Sequence, residues 1–151
     1  MPAIPFFHFL AIVLIVLVNA FFASVEFALV SVRRTWLQQK AAQGDSRAEA
    51  ALQLIGDLNS VVSGTQVGIT MTSLALGWVG ELALARMLGP VLSAAGTTST
   101  LVLHSIATTA AFLGLTFLHV VLGELVPKQV ALGRAERLSL LVAWPMTLFL
   151  K

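Results

Sequence analysis

Thr100–Val126 reads TLVLHSIATTAAFLGLTFLHVVLGELV, a run of 27 residues with a single charged side chain, Glu124. At 1.5 Å per residue a helix of this length covers about 40 Å, more than the hydrocarbon core of a bilayer. The run ends in Leu122-Gly-Glu-Leu-Val-Pro-Lys-Gln129, which places a carboxylate, a proline and an ammonium within five positions of one another. Pro127 has no N–H, so the carbonyl of Gly123 loses its usual helical donor, and the helix is expected to break there. A freed carbonyl in the bilayer must find another partner.

Working outward, two further segments are long enough to span. Ile4–Val32 holds only Glu26, and Val61–Leu88 holds Glu81 and Arg86. The first segment lacks a basic leading region and is too long for the apolar core of a signal peptide. A fourth apolar run, the 13 residues Leu138–Leu150, contains Pro145 and is short for a span. It predicts an interfacial helix over roughly residues 129–150. The fold expected is all-α integral membrane: three transmembrane helices, a cytoplasmic helical loop and a C-terminal juxtamembrane helix, forming one domain over 1–151.

Composition agrees. The chain is 58% hydrophobic and 11% charged, against about 25% charged for soluble domains. Cysteine is absent, which excludes disulfides and thiolate metal sites. The pI near 9.7 does not point to nucleic acid, because the basic residues sit where a membrane topology explains them. Arg33, Arg34, Lys40 and Arg47 lie between the first two segments, and Lys128, Arg134 and Arg137 follow the third. The positive-inside rule therefore puts the N-terminus outside and the C-terminus in the cytoplasm. Ser46-Arg-Ala-Glu49 fits a capping box for a helix in the cytoplasmic loop. Ser93–Thr100 reads as a short outer connection.

Polar residues inside the spans carry the chemistry. Asn59, Ser63, Gln66, Thr70, Ser73, Gly77 and Gly80 alternate spacings of four and three, so they share a helical face. In lipid such a seam faces protein or a water-filled cavity. Close helix packing explains its glycines and serines; Gln66 and Thr70 fit interhelical glue and ligand roles equally. Asn19, Ala23 and Glu26 share a face of the first segment, and Glu26 is near enough to Arg33 to pair with it. His119 suits hydrogen-bonded packing better than a proton relay. Glu124 has two readings: an ion pair with Lys128, four residues on, or the charged member of a cation shell. For the second, Gly123 and Ala23 would offer carbonyl oxygens, Gln66 and Thr70 neutral oxygens, and Glu26 further charge. No nucleophile–base pair or phosphate loop appears, which argues against an enzyme.

Three stretches together resemble the cyclin-M/CorC family of magnesium transporters, whose bacterial branch is hemolysin-like. They are Asn19-Ala-Phe-Phe-Ala-Ser-Val-Glu-Phe-Ala-Leu29, Thr65-Gln-Val-Gly-Ile-Thr70 with Gly77-Trp-Val-Gly-Glu81, and Leu122-Gly-Glu-Leu-Val-Pro-Lys128. The resemblance implies a homodimer in the bacterial inner membrane, an inward-facing Mg²⁺ pocket used for efflux, sodium as a coupling ion, and a cytosolic CBS-domain pair further along the full chain. It assigns Glu124 to the family's acidic position. Gln66 and Thr70 stand where the clear magnesium transporters have asparagines, and Ala23 where serine is common. The alternatives are a transporter of Na⁺ or another metal, and a non-transporting anchor for the cytosolic module.

Overall fold

The computed structural model describes residues 4–94 and 100–151, and every element among them is helical. In chain order they are α1 (Ile4–Ser31), α2 (Arg34–Ala42), α3 (Ser46–Gly56), α4 (Leu58–Ala94), α5 (Thr100–Val120), a π-helical turn (Val121–Leu125), α6 (Val126–Gly133) and α7 (Ala135–Phe149). Of the expected outer connection Ser93–Thr100, Ser93 and Ala94 belong to α4 and Thr100 opens α5, while 95–99 lie outside the described residues.

Two stretches, Phe6–Ser31 and Thr108–Gly133, are long and apolar enough to cross a bilayer. Their large side chains point outward: Phe6, Phe7, Phe9, Leu14 and Leu17 on one, and Leu113, Phe117 and Leu118 on the other, are exposed. Apolar exposure on this scale would be an aggregation surface in water and is the natural surface in lipid. α4 packs along α1 and is 37 residues long, about 55 Å, so it is longer than a bilayer core requires.

The core sits at one end of this arrangement, where α1 finishes. Val25, Leu29, Val32, Leu37, Ala51, Leu54, Val61, Val142, Ala143 and Met146 bury one another there. α7 contributes Ser139, Val142, Ala143 and Met146, a stripe at helical spacing, and leaves Leu141, Trp144 and Leu148 exposed on its other side. Gly64 of α4 admits this helix closely: a Cβ built there would lie 2.5 Å from Leu150.

Three expectations are corrected by the chain's local chemistry. Pro127 does not break the helix. The preceding turn widens instead, with the Val126 N–H bonded to the Val121 carbonyl five residues back, and Pro127 falls in the first turn of α6, where a missing N–H is tolerated. The last helix starts at Ala135 rather than near residue 129, because residues up to Gly133 continue the span. The α3 cap is Asp45, whose Oδ1 accepts from the Arg47 N–H at 3.0 Å, one residue before the expected Ser46. Arg47 also binds that carboxylate through its side chain, which holds Asp45 below the usual carboxylate range.

Candidate functional site

α4 presents two polar faces one residue apart. Val61, Thr65, Gly68, Thr72 and Leu76 are buried, and they face α1. Gly68 makes this approach possible, since a Cβ there would sit 2.6 Å from the Phe22 ring. The neighbouring seam of Asn59, Ser63, Gln66, Thr70, Ser73 and Gly77 is exposed on the single chain. Gly80 leaves the seam and is buried, with Leu115 against it.

The buried face carries a hydrogen-bonded chain across three segments. Asn19 of α1 is fully buried and donates through Nδ2 to the Gly123 carbonyl at 2.9 Å. The Thr72 hydroxyl lies 2.6 Å from Asn19 Oδ1. A carbonyl can only accept, so the Asn19 amide nitrogen must face Gly123, and its oxygen takes the Thr72 proton. The carbonyl exposed by Pro127 thus finds its partner in α1. Gly123 is buried, and its missing side chain is necessary: a Cβ would meet His119 Cδ2 at 2.9 Å and Asn19 Nδ2 at 3.2 Å. His119 Nε2 is buried and has no hydrogen-bond partner among the described residues.

Immediately after Gly123 the π turn presents Glu124. π turns insert one extra residue and occur frequently at functional sites. Glu124 Oε1 is 2.5 Å from Lys128 Nζ, and both side chains are partly exposed. The same ammonium sits 5.0 Å above the Phe27 ring. Phe27 and Glu26 are neighbours on α1, and Glu26 Oε2 accepts from Gln66 Nε2 at 3.2 Å, with Thr65 Oγ1 at 3.4 Å. Thr65 has a shorter contact, 2.8 Å, to the Val62 carbonyl of its own helix, so Gln66 is the main partner of Glu26.

Of the six residues expected to form one shell, Glu26 and Gln66 meet directly and Gly123 and Glu124 share the π turn. Thr70 is exposed and its hydroxyl returns to the Gln66 carbonyl at 2.8 Å. Ala23 is fully buried within α1. No hydrogen bond among the described residues joins Glu124 to Gln66, Thr70 or Glu26, and no three His, Asp or Glu side chains there gather as a metal-binding set. Glu26 does not pair with Arg33, which binds Glu136 instead. Thr72 and the Asn19–Gly123 bond were missed as partners. Asn19 already stood out as a polar residue deep in a span, whereas Thr72 lies off the polar seam and gave no signal.

The geometry offers a carboxylate whose counter-ion is a lysine, beside a carbonyl locked to a neighbouring helix and a second carboxylate held by an amide. Oxygen donors are present on three segments, and the cation that Glu124 holds is the Lys128 ammonium. Residues 9–151 match the family described as Cyclin M transmembrane N-terminal domain. The chain is similar to UPF0053 protein YhdT of Bacillus subtilis (strain 168), 44% identical over 135 residues, covering 89% of this chain and 29% of that protein. UPF0053 protein YugS of the same organism is 41% identical over 142 residues, covering 94% of this chain and 33% of its own length. UPF0053 protein sll0260 of Synechocystis sp. is 38% identical over 147 residues, covering 95% and 31%. The chain therefore spans about a third of these relatives.

Proposed function

Since the chain belongs to the cyclin M transmembrane N-terminal domain family, we propose that it is the membrane domain of a CorC-like Mg²⁺ exporter. α1, α4 and the α5–π–α6 helix are its three spans, in a bacterial inner membrane with the C-terminus in the cytoplasm. Mg²⁺ is the cargo, taken from the cytoplasmic side, with Na⁺ as the coupling ion. A CBS-domain pair follows in the full-length protein. Two copies associate, which would cover the polar seam that a single chain leaves exposed on α4.

The π turn at Val121–Leu125 is the observation that carries this reading. It holds Glu124 at membrane depth, nine residues or roughly 14 Å before the end of α6. The Gly123 carbonyl is held by Asn19, which Thr72 holds in turn, so the backbone beside the carboxylate is tied to α1 and α4. Gln66 Oε1 and Glu26 would supply further oxygens, and the Gly123 carbonyl has a second lone pair beside its bond from Asn19. Thr70 and Ala23, turned into their own helices, would have to rearrange to join the shell. With few carboxylates and Lys128 in competition, the site would bind weakly and keep water on the ion, which suits a cation that must be released.

The test is thermal stability of the purified protein titrated with Mg²⁺, Mn²⁺, Ca²⁺ and Na⁺, since a ligand of the folded state raises stability by mass action. Mg²⁺ should stabilise the wild type, and Glu124→Gln should abolish the effect while leaving the metal-free protein folded. A preference for Na⁺ or for another metal would reassign the cargo. The Glu124–Lys128 pair favours a second reading, a non-transporting anchor for the cytosolic module, because it neutralises the carboxylate without an ion. Under that reading no cation shifts the melting temperature and the Glu124→Gln variant responds as the wild type does.

A further inference from the structure

A cavity of about 430 Å³ opens where α1, α6 and α7 meet, lined by residues that include Ser31, Arg33, Gly133, Arg134, Glu136 and Arg137. Ser31 and Gly133 are also the last residues of the two bilayer-crossing stretches. The cavity therefore lies at the depth where acyl chains give way to headgroups. Its charge is unbalanced. Glu136 neutralises Arg33 through bonds from Nε and Nη2. Arg134 and Arg137 are exposed and have no ion pair or side-chain hydrogen bond among the described residues. The first-turn N–H groups of α7 open at the same place and add positive potential. Beyond it the exposed Leu141, Trp144 and Leu148 of α7 form an apolar, aromatic face of the kind that lies in a membrane interface.

We propose that this cavity binds the phosphate of an anionic phospholipid headgroup, with Arg134 and Arg137 as its ligands and the acyl chains running along the exposed face of α7. Guanidinium groups match phosphate oxygens in a forked geometry. The occupant is a lipid rather than a soluble phosphate because the cavity coincides with the ends of both spans and continues into an apolar surface. The site is separate from Glu124, so its fate is independent of cation transport.

Native mass spectrometry of the purified chain in micelles containing equal phosphatidylglycerol and phosphatidylcholine tests this directly. The wild type should retain phosphatidylglycerol selectively, and rising salt should erode the preference. Arg134→Gln with Arg137→Gln should lower retention by about fivefold per arginine removed. Arg134→Lys with Arg137→Lys keeps the charge but loses the fork, and should retain more selectivity than the glutamine variant and less than the wild type, which separates loss of the ligand from loss of the fold. Equal retention of the two lipids, a salt-insensitive preference, or full selectivity in the folded glutamine variant would overturn the proposal. So would displacement of the lipid by millimolar inorganic phosphate, which would mark a site for a soluble anion. Cation-dependent stability measured on the same samples shows whether the Glu124 reading stands or falls separately.

Discussion

Asn19 has one amide and two obligations, to Gly123 on one side and Thr72 on the other. Asn19→Leu leaves the buried Gly123 carbonyl without its donor, while the Thr72 hydroxyl can turn to the Gly68 and Ile69 carbonyls at 2.9 Å; an unsatisfied buried group costs about 1–3 kcal/mol. A fall in the melting temperature of the detergent-solubilised protein is expected, with Thr72→Ser close to wild type and Thr72→Val in between. Lys128 is the other decisive side chain, since it holds the carboxylate that a cation must win. Lys128→Gln should therefore strengthen Mg²⁺-dependent stabilisation, read as a shift of the titration to lower concentration. A shift to higher concentration would show that the ammonium assists binding rather than competing. The sequence made both residues visible, because an asparagine and a Glu–Lys pair inside apolar runs have no easy place in lipid. It did not show that Asn19 reaches Gly123, since the two lie 104 positions apart and only packing brings them together.

At the scale of elements, close contact explains more than propensity. α4 lies on α1 because Gly68 leaves room for Phe22, and that ring in turn packs edge-to-face against Phe149, with ring centres 4.9 Å apart. Gly68→Val should push the two helices apart and destabilise the protein by about 1–3 kcal/mol, the usual cost of overpacking; thermal unfolding would register it. The α2–α3 corner should respond to acid. The folded-state pKa of Asp45 is lowered by its bonds to Arg47, so its contribution is present above the unfolded carboxylate value and disappears as pH falls through the lower folded one. Asp45→Asn should remove that part of the acid dependence, seen in melting curves taken across the acidic range. Helix identity was readable from apolar run length, and the boundaries were not. Pro127 signalled a break, yet the chain absorbed it in a widened turn, because a continuous helix keeps its backbone groups paired within the bilayer.

For the whole molecule, the exposed polar seam sets the expectation of a second copy. Gln66, Thr70 and Ser73 face outward beside Val67, Met71, Leu74 and Trp78. The chain contains no cysteine, so a single introduced thiol reports alone. Ser73→Cys should form a disulfide-linked dimer on mild oxidation in native membranes. A band that stays monomeric while the thiol labels readily with a water-soluble maleimide would mean that the seam faces a water-filled cavity instead. Amphipathic spacing located six of the seven seam residues on one face; Gly80 lies on the buried side. It could not distinguish the face that meets α1 from the one beside it, because both carry threonine and glycine and lie only one residue apart.

The widened turn at Val121–Leu125 has a rotational consequence. One surplus residue per loop of backbone swings everything downstream by about 100° around the helix axis. Closing the turn to regular α geometry at unchanged length would re-aim Lys128, Arg134 and the whole of α7 relative to the spans, whereas deleting one residue as the coil tightens would leave them in place. A change of coil without a change of length, at this place, would act like a twist applied to the far end of a shaft.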